Sequence, residues 1–134
     1  MDIRREIIKR LDTKYPDIPV YGEEIEQGFE IPSFFVKRVD GNQKRMISTR
    51  YKKGNTFDIH YFAKSNEDAE LMSEKLYFDM EYLNDFVARG TKMSNTIVDG
   101  ILHFLVSYNY HIYLKNEDEY MGKVKVKGVV KENE

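Results

Sequence analysis

From Ile101 to Leu114 the chain alternates with a period of two. Leu102, Phe104, Val106, Tyr108, Tyr110, Ile112 and Leu114 form one unbroken apolar side, while His103, Ser107, Asn109 and His111 fall on the other. This pattern predicts a long strand with one face on a core, placed at the centre of a sheet. A slip of one residue would bury the polar set, so the register is expected to be tightly fixed. Helical spacing takes over in two other stretches. Ile3, Ile7, Ile8, Leu11 and Tyr15 recur among Arg4, Arg5, Lys9, Arg10 and Lys14, which predicts a first amphipathic helix over Asp2 to Tyr15. Pro16 stops it, and Pro19 allows the segment Ile18 to Ile25 to be at most an edge strand. Ala69, Met72, Leu76, Met80 and Leu83 follow the N-cap signal Ser65-Asn66-Glu67-Asp68, predicting a second helix from about Asn66 to Phe86 that Arg89-Gly90-Thr91 ends.

Between the helices lie three strand candidates, Ser33 to Val39, Lys44 to Tyr51 and Thr56 to Ala63. They are joined through Asp40-Gly41-Asn42 and Lys52-Lys53-Gly54-Asn55, both with hairpin-turn chemistry. In the third, Phe57, Ile59 and Tyr61 face one way and Asp58 and His60 the other, so one side is expected to be buried. Lys92 to Val98 forms a further strand, which Asp99-Gly100 turns into the long one. At the C-terminal end Val124, Val126 and Val130 alternate with Lys123, Lys125 and Lys127, predicting a one-sided strand over about 121–130 before a charged tail. The piece Glu23 to Gly28 reads as an acidic turn. The sum is an α+β fold, an antiparallel or mixed sheet packed against two helices, with 134 residues forming one domain.

Charge narrows the function classes. A formal net charge of −2 and a pI near 6.0 give no global attraction to nucleic acid or anionic membrane, so any basic function must be local. The absence of cysteine excludes disulfides, thiolate metal sites and thiol nucleophiles. No apolar signal core follows the N-terminal charges, and the most hydrophobic stretch is interrupted by His103, Ser107 and Asn109, so neither secretion nor a membrane span is expected. The local basic feature is the hairpin with Lys44, Arg45, Arg50, Lys52 and Lys53, whose tip is expected to project into solvent. It reads either as a solvated tip or as an arm that meets an anionic partner.

Candidate chemistry is thin. His103 and His111 share a strand face but lie about 26 Å apart at ~3.3 Å per residue and cannot share a metal. Asp58 and His60 are same-face neighbours that could orient one another for base catalysis, against the plainer reading of a solvated strand face. Glu23, Glu24 and Glu26, and the run Glu117, Asp118, Glu119, lack the alternation of a calcium loop. Neither a serine elbow nor a glycine-rich phosphate loop is present. The expectation is therefore no catalytic residue, no cofactor and no metal. Aromatic strands invite comparison with RNA-binding sheets, but Phe104, Tyr108 and Tyr110 fall on the side assigned to the core.

Several strings, taken in order, resemble the small tail terminator proteins of tailed bacteriophages and prophages of Gram-positive hosts. They are Tyr15-Pro16 with Ile18-Pro19-Val20-Tyr21, Gln27-Gly28-Phe29 with Pro32-Ser33-Phe34-Phe35-Val36, Tyr61-Phe62, and Val98-Asp99-Gly100 leading into Leu102-His103-Phe104 and Val106-Ser107-Tyr108. The likeness covers roughly Ile3 to Leu114. It implies a non-enzymatic virion protein, assembled in the bacterial cytoplasm, that forms a homo-oligomeric ring, commonly a hexamer. The ring would cap the tail tube and supply the tail side of the head-tail joint, with the tube protein and a connector or completion protein as partners. The basic hairpin could then reach a neighbouring subunit, or DNA in the tail lumen through its phosphates. Alternatives are another head-tail joining or tail completion protein, and a small nucleic-acid-binding module using residues 40–55.

Overall fold

The computed structural model describes residues 2–22, 30–83 and 88–114. Its helices are α1, Ile3–Lys14, and α2, Asn66–Asp79; its strands are β1, Val20–Tyr21, β2, Ser33–Arg45, β3, Arg50–Phe62, β4, Tyr82–Leu83, β5, Ala88–Val98, and β6, Ile101–Tyr113. The strands form one sheet in the order β1-β2-β3-β6-β5-β4. β1 runs parallel to β2 and the other pairs are antiparallel. The α+β architecture with a mixed sheet and two helices is the one the periodicities predict, and β6 lies at its centre beside β3. The Ser65 cap forms as read, and Asp2 caps α1 in the same way. The Asp2 carboxylate accepts from the Arg5 amide, and Ser65 Oγ accepts from the Asp68 amide, each contact stabilising its helix by about 1 kcal/mol.

Both helices cover the same face of the sheet. Ile3, Ile7 and Leu11 of α1 and Ala69, Met72 and Leu76 of α2 join Phe57, Ile59 and Tyr61 of β3 and Leu102, Phe104, Val106 and Tyr108 of β6 in a single core. A second, smaller cluster of Tyr51, Ile112 and Leu114 lies further along the same two strands.

Three expectations are corrected. The region 33–62 contains two thirteen-residue strands, not three short ones. The supposed turns at Gly41-Asn42 and Gly54-Asn55 lie opposite each other in one ladder, Gly41 against Asn55 and Asn42 against Gly54, and the real turn is Met46 to Thr49. Gly54 serves there as a close-approach residue, since a Cβ would lie 2.7 Å from Asn109 Oδ1 and 2.9 Å from Asn42 Oδ1. Helix α2 ends at Asp79 rather than near Phe86, and Arg89-Gly90-Thr91 belongs to β5 instead of closing the helix. Finally, the one-sided burial expected of Thr56 to Ala63 fails at His60, which is buried beside the start of β2, where Ser33, Phe34, Phe35 and Val36 are all buried too. On the side away from the helices, Phe35 packs against Tyr21 and Phe62 with ring centroids 5.0 and 5.1 Å apart. The acidic turn at 23–28, the segment after Lys115 and the strand at 121–130 lie outside the described residues.

Candidate functional site

The two long strands carry the basic residues out on an arm. Every residue of β2 from Lys37 to Arg45 is exposed, whereas β6 still backs the β3 side as far as Arg50 opposite Tyr113. The register brings some of the five basic residues together and separates others. Lys44 stands directly across from Lys52, which in turn pairs with His111. Alternation puts Arg50 on that same face and Arg45 and Lys53 on the opposite one. Like charges placed directly opposite one another destabilise a ladder, so the arm holds unspent positive potential. The effect reaches His111, whose pKa is lowered by burial first and then by the charges of Arg50 and Lys52. Among the described residues, Lys44, Arg50, Lys52 and Lys53 make no ion pair.

An acidic counterpart lies at the other end of the molecule. Glu67, Glu70 and Glu74 are exposed along α2 and line a groove of about 550 Å³ with Leu71, Ser73, Asn95 and Ile97. Leu71 is 60% exposed on this wall. From Tyr113, opposite the base of the turn, to Leu102, opposite Ile97, the span along β6 is about 36 Å at ~3.3 Å per residue. The i, i+3, i+7 spacing of the three glutamates on a predicted helix was visible in the sequence; its relation to the arm needed the strand order.

The polar face of β3 and β6 holds a tighter cluster. His60 and His103 are direct cross-strand partners, and Asp58 lies diagonally beside them. Asp58 Oδ2 is 2.9 Å from His60 Nε2 and 3.4 Å from His103 Nδ1, and the imidazoles meet edge to face with centroids 4.4 Å apart. His60 is only 8% exposed and is flanked across the ladder by buried Phe35. Burial alone would raise the Asp58 pKa, but hydrogen bonding and charge from His60, then His103, hold it below the ordinary carboxylate value. The reading of Asp58 and His60 as a solvated strand face is thus corrected. One donor atom from each of Asp58, His60 and His103 lies within 4.8 Å of the others, a grouping that spacing along a single strand does not reveal. The neighbour that matters to His60 comes from another strand. His111, as expected, is remote from the group.

No described helix is long and apolar enough to cross a membrane. A family model described as phage tail terminator protein matches residues 2–121. No curated protein matches the chain.

Proposed function

Because the chain belongs to the phage tail terminator family, a structural component of the virion tail, we propose that it closes the end of the tail tube as a homo-oligomeric ring, of six copies by the family resemblance, and forms the tail side of the head-tail joint. Assembly in the host cytoplasm onto a finished tube, followed by docking of a connector or completion protein, requires shaped surfaces and no reacting group. A ring needs a heterologous contact in which one edge of a subunit meets a different edge of the next. The observation that carries this reading is the separation of opposite charges: a cationic arm at one end of the sheet and the Glu67, Glu70 and Glu74 groove at the other. Arm and groove are complementary in sign, and complementary potentials select partner and register in association. Lys44, Lys52 and Arg50 are the arm residues proposed to meet the glutamates.

The test is a charge swap read by light scattering, on the chain alone and in the presence of tail tubes. Wild type is expected to give a closed oligomer. Lys44→Glu with Lys52→Glu should prevent closure, as should Glu70→Lys with Glu74→Lys, and the four changes together should restore it. Normal closure in both double variants would defeat the arm-to-groove contact. Rings that close in the arm variant but no longer retain DNA would instead assign the arm to the lumen.

A further inference from the structure

We propose that Asp58, His60 and His103 form a binding site for a divalent first-row transition ion of the Zn²⁺ type, on the sheet face opposite the helices. The donor set is one carboxylate oxygen and two imidazole nitrogens, which suits Zn²⁺ and its neighbours and leaves the harder Mg²⁺ and Ca²⁺ without the oxygen ligands they prefer. Donors bound at about 2.0–2.1 Å to one tetrahedral ion stand ~3.3 Å apart. Asp58 Oδ2 already lies 2.9 and 3.4 Å from the two nitrogens, and all three donor atoms fall within 4.8 Å of one another. Small rotations of the rings close the remainder.

Two further observations point to a cation. Both imidazoles converge on the single oxygen Oδ2, while Asp58 Oδ1 is buried with no hydrogen-bond partner. A buried acceptor left unmatched is unfavourable by roughly 1–3 kcal/mol, and a water carried by an ion bound at Oδ2 would donate to Oδ1 and supply the missing partner. In addition, all three residues sit on paired central strands, with His60 opposite His103 in the ladder, so the backbone holds the donors in place before any ligand arrives. Three protein ligands leave a coordination position for water on the side of His103, whose side chain is 34% exposed. Bound there, the ion would clamp β3 to β6. The site is independent of the ring contact, which uses other residues.

The experiment uses the tag-free full chain, stripped with chelator and titrated with Zn²⁺ by calorimetry and with Co²⁺ by visible absorption. One equivalent per chain, the ligand-field bands of a nitrogen- and oxygen-ligated Co²⁺, and a Zn²⁺-dependent rise in Tm are expected. His103→Gln and Asp58→Asn, whose folds are checked by circular dichroism, should each weaken binding by about tenfold or more; His111→Gln should leave it unchanged. Absence of binding by the wild type overturns the proposal. So does binding that survives both ligand substitutions, or that His111→Gln removes.

Discussion

At the scale of single residues, Gly54 and Gly90 look alike in the sequence, yet their surroundings predict opposite outcomes. A Cβ on Gly90 would lie 2.5 Å from the Met80 carbonyl oxygen and 3.0 Å from Val106 Cγ2. That carbonyl also accepts from Tyr108 Oη at 2.5 Å, while the Gly90 amide donates to the Glu81 carbonyl at 2.6 Å. The C-terminus of α2 is thereby pressed onto the ladder of β5 and β6, and backbone cannot step aside. Gly90→Ala should destabilise by about 1–3 kcal/mol, as overpacking does. At Gly54 the clashing atoms are the ends of Asn42 and Asn109 side chains, which can rotate away. Gly54→Ala should stay within about 1 kcal/mol of wild type, helped by reduced freedom in the unfolded chain. Urea midpoints of the two variants check the pair; equal losses would mean that the contact atoms do not decide the outcome. None of this was legible beforehand, because a glycine kept for close approach carries the same letter as one kept for a turn. Asp99-Gly100 was legible, since both residues adopt the positive φ, 53° and 78°, that their order advertises.

Elements with strong periodicity were the readable ones. Helix α1, the start of α2 and the whole of β6 follow their spacing because burial on one face enforces it. The arm was misread since Gly41-Asn42 and Lys52-Lys53-Gly54-Asn55 carry turn chemistry, and only their mutual pairing makes them strand. Its true turn, Met46 to Thr49, contains no glycine and places Ser48 at φ 60°, which nothing in the local pattern announces. Lys44 faces Lys52, and like charges directly opposite cost about 0.2–1 kcal/mol relative to a matched pair. Lys44→Glu alone should therefore stabilise the arm by that amount, seen as slower amide exchange in residues 40–55, most clearly at low salt. Unchanged or faster exchange would argue that the two lysines do not face one another. If the same variant assembles poorly, the positive charge is kept for contact and not for folding.

On the scale of the whole molecule, tyrosine hydroxyls fasten α2 to the rest. Tyr15, just after α1, donates to the Asp79 carboxylate; Tyr61 of β3 donates to Asp68 Oδ2 at 2.9 Å; Tyr108 of β6 donates to the Met80 carbonyl. Periodicity marked Tyr61 and Tyr108 as core and Tyr15 as part of the apolar face of α1, but of their partners only Asp68 stood out, within the N-cap signal, while Asp79 and Met80 fell inside a helix expected to run on to Phe86. In all three the phenol pKa is raised well above its ordinary value near 10, by burial first, and for Tyr15 and Tyr61 also by the neighbouring carboxylate. The folded state thus keeps protons that the unfolded chain releases once the pH passes the ordinary tyrosine value. Stability from these groups is complete below that value and falls as the pH climbs above it. Urea midpoints should accordingly hold steady from about pH 8 to about pH 9.5 and decline steeply beyond about pH 10. In the same window, ultraviolet titration should find a subset of the ten tyrosines ionising only as the helical signal is lost. Tyr61→Phe removes one of the three and should flatten the alkaline decline. Ionisation of every tyrosine near its ordinary pH with the helical signal intact would mean that α2 is held by its apolar face alone.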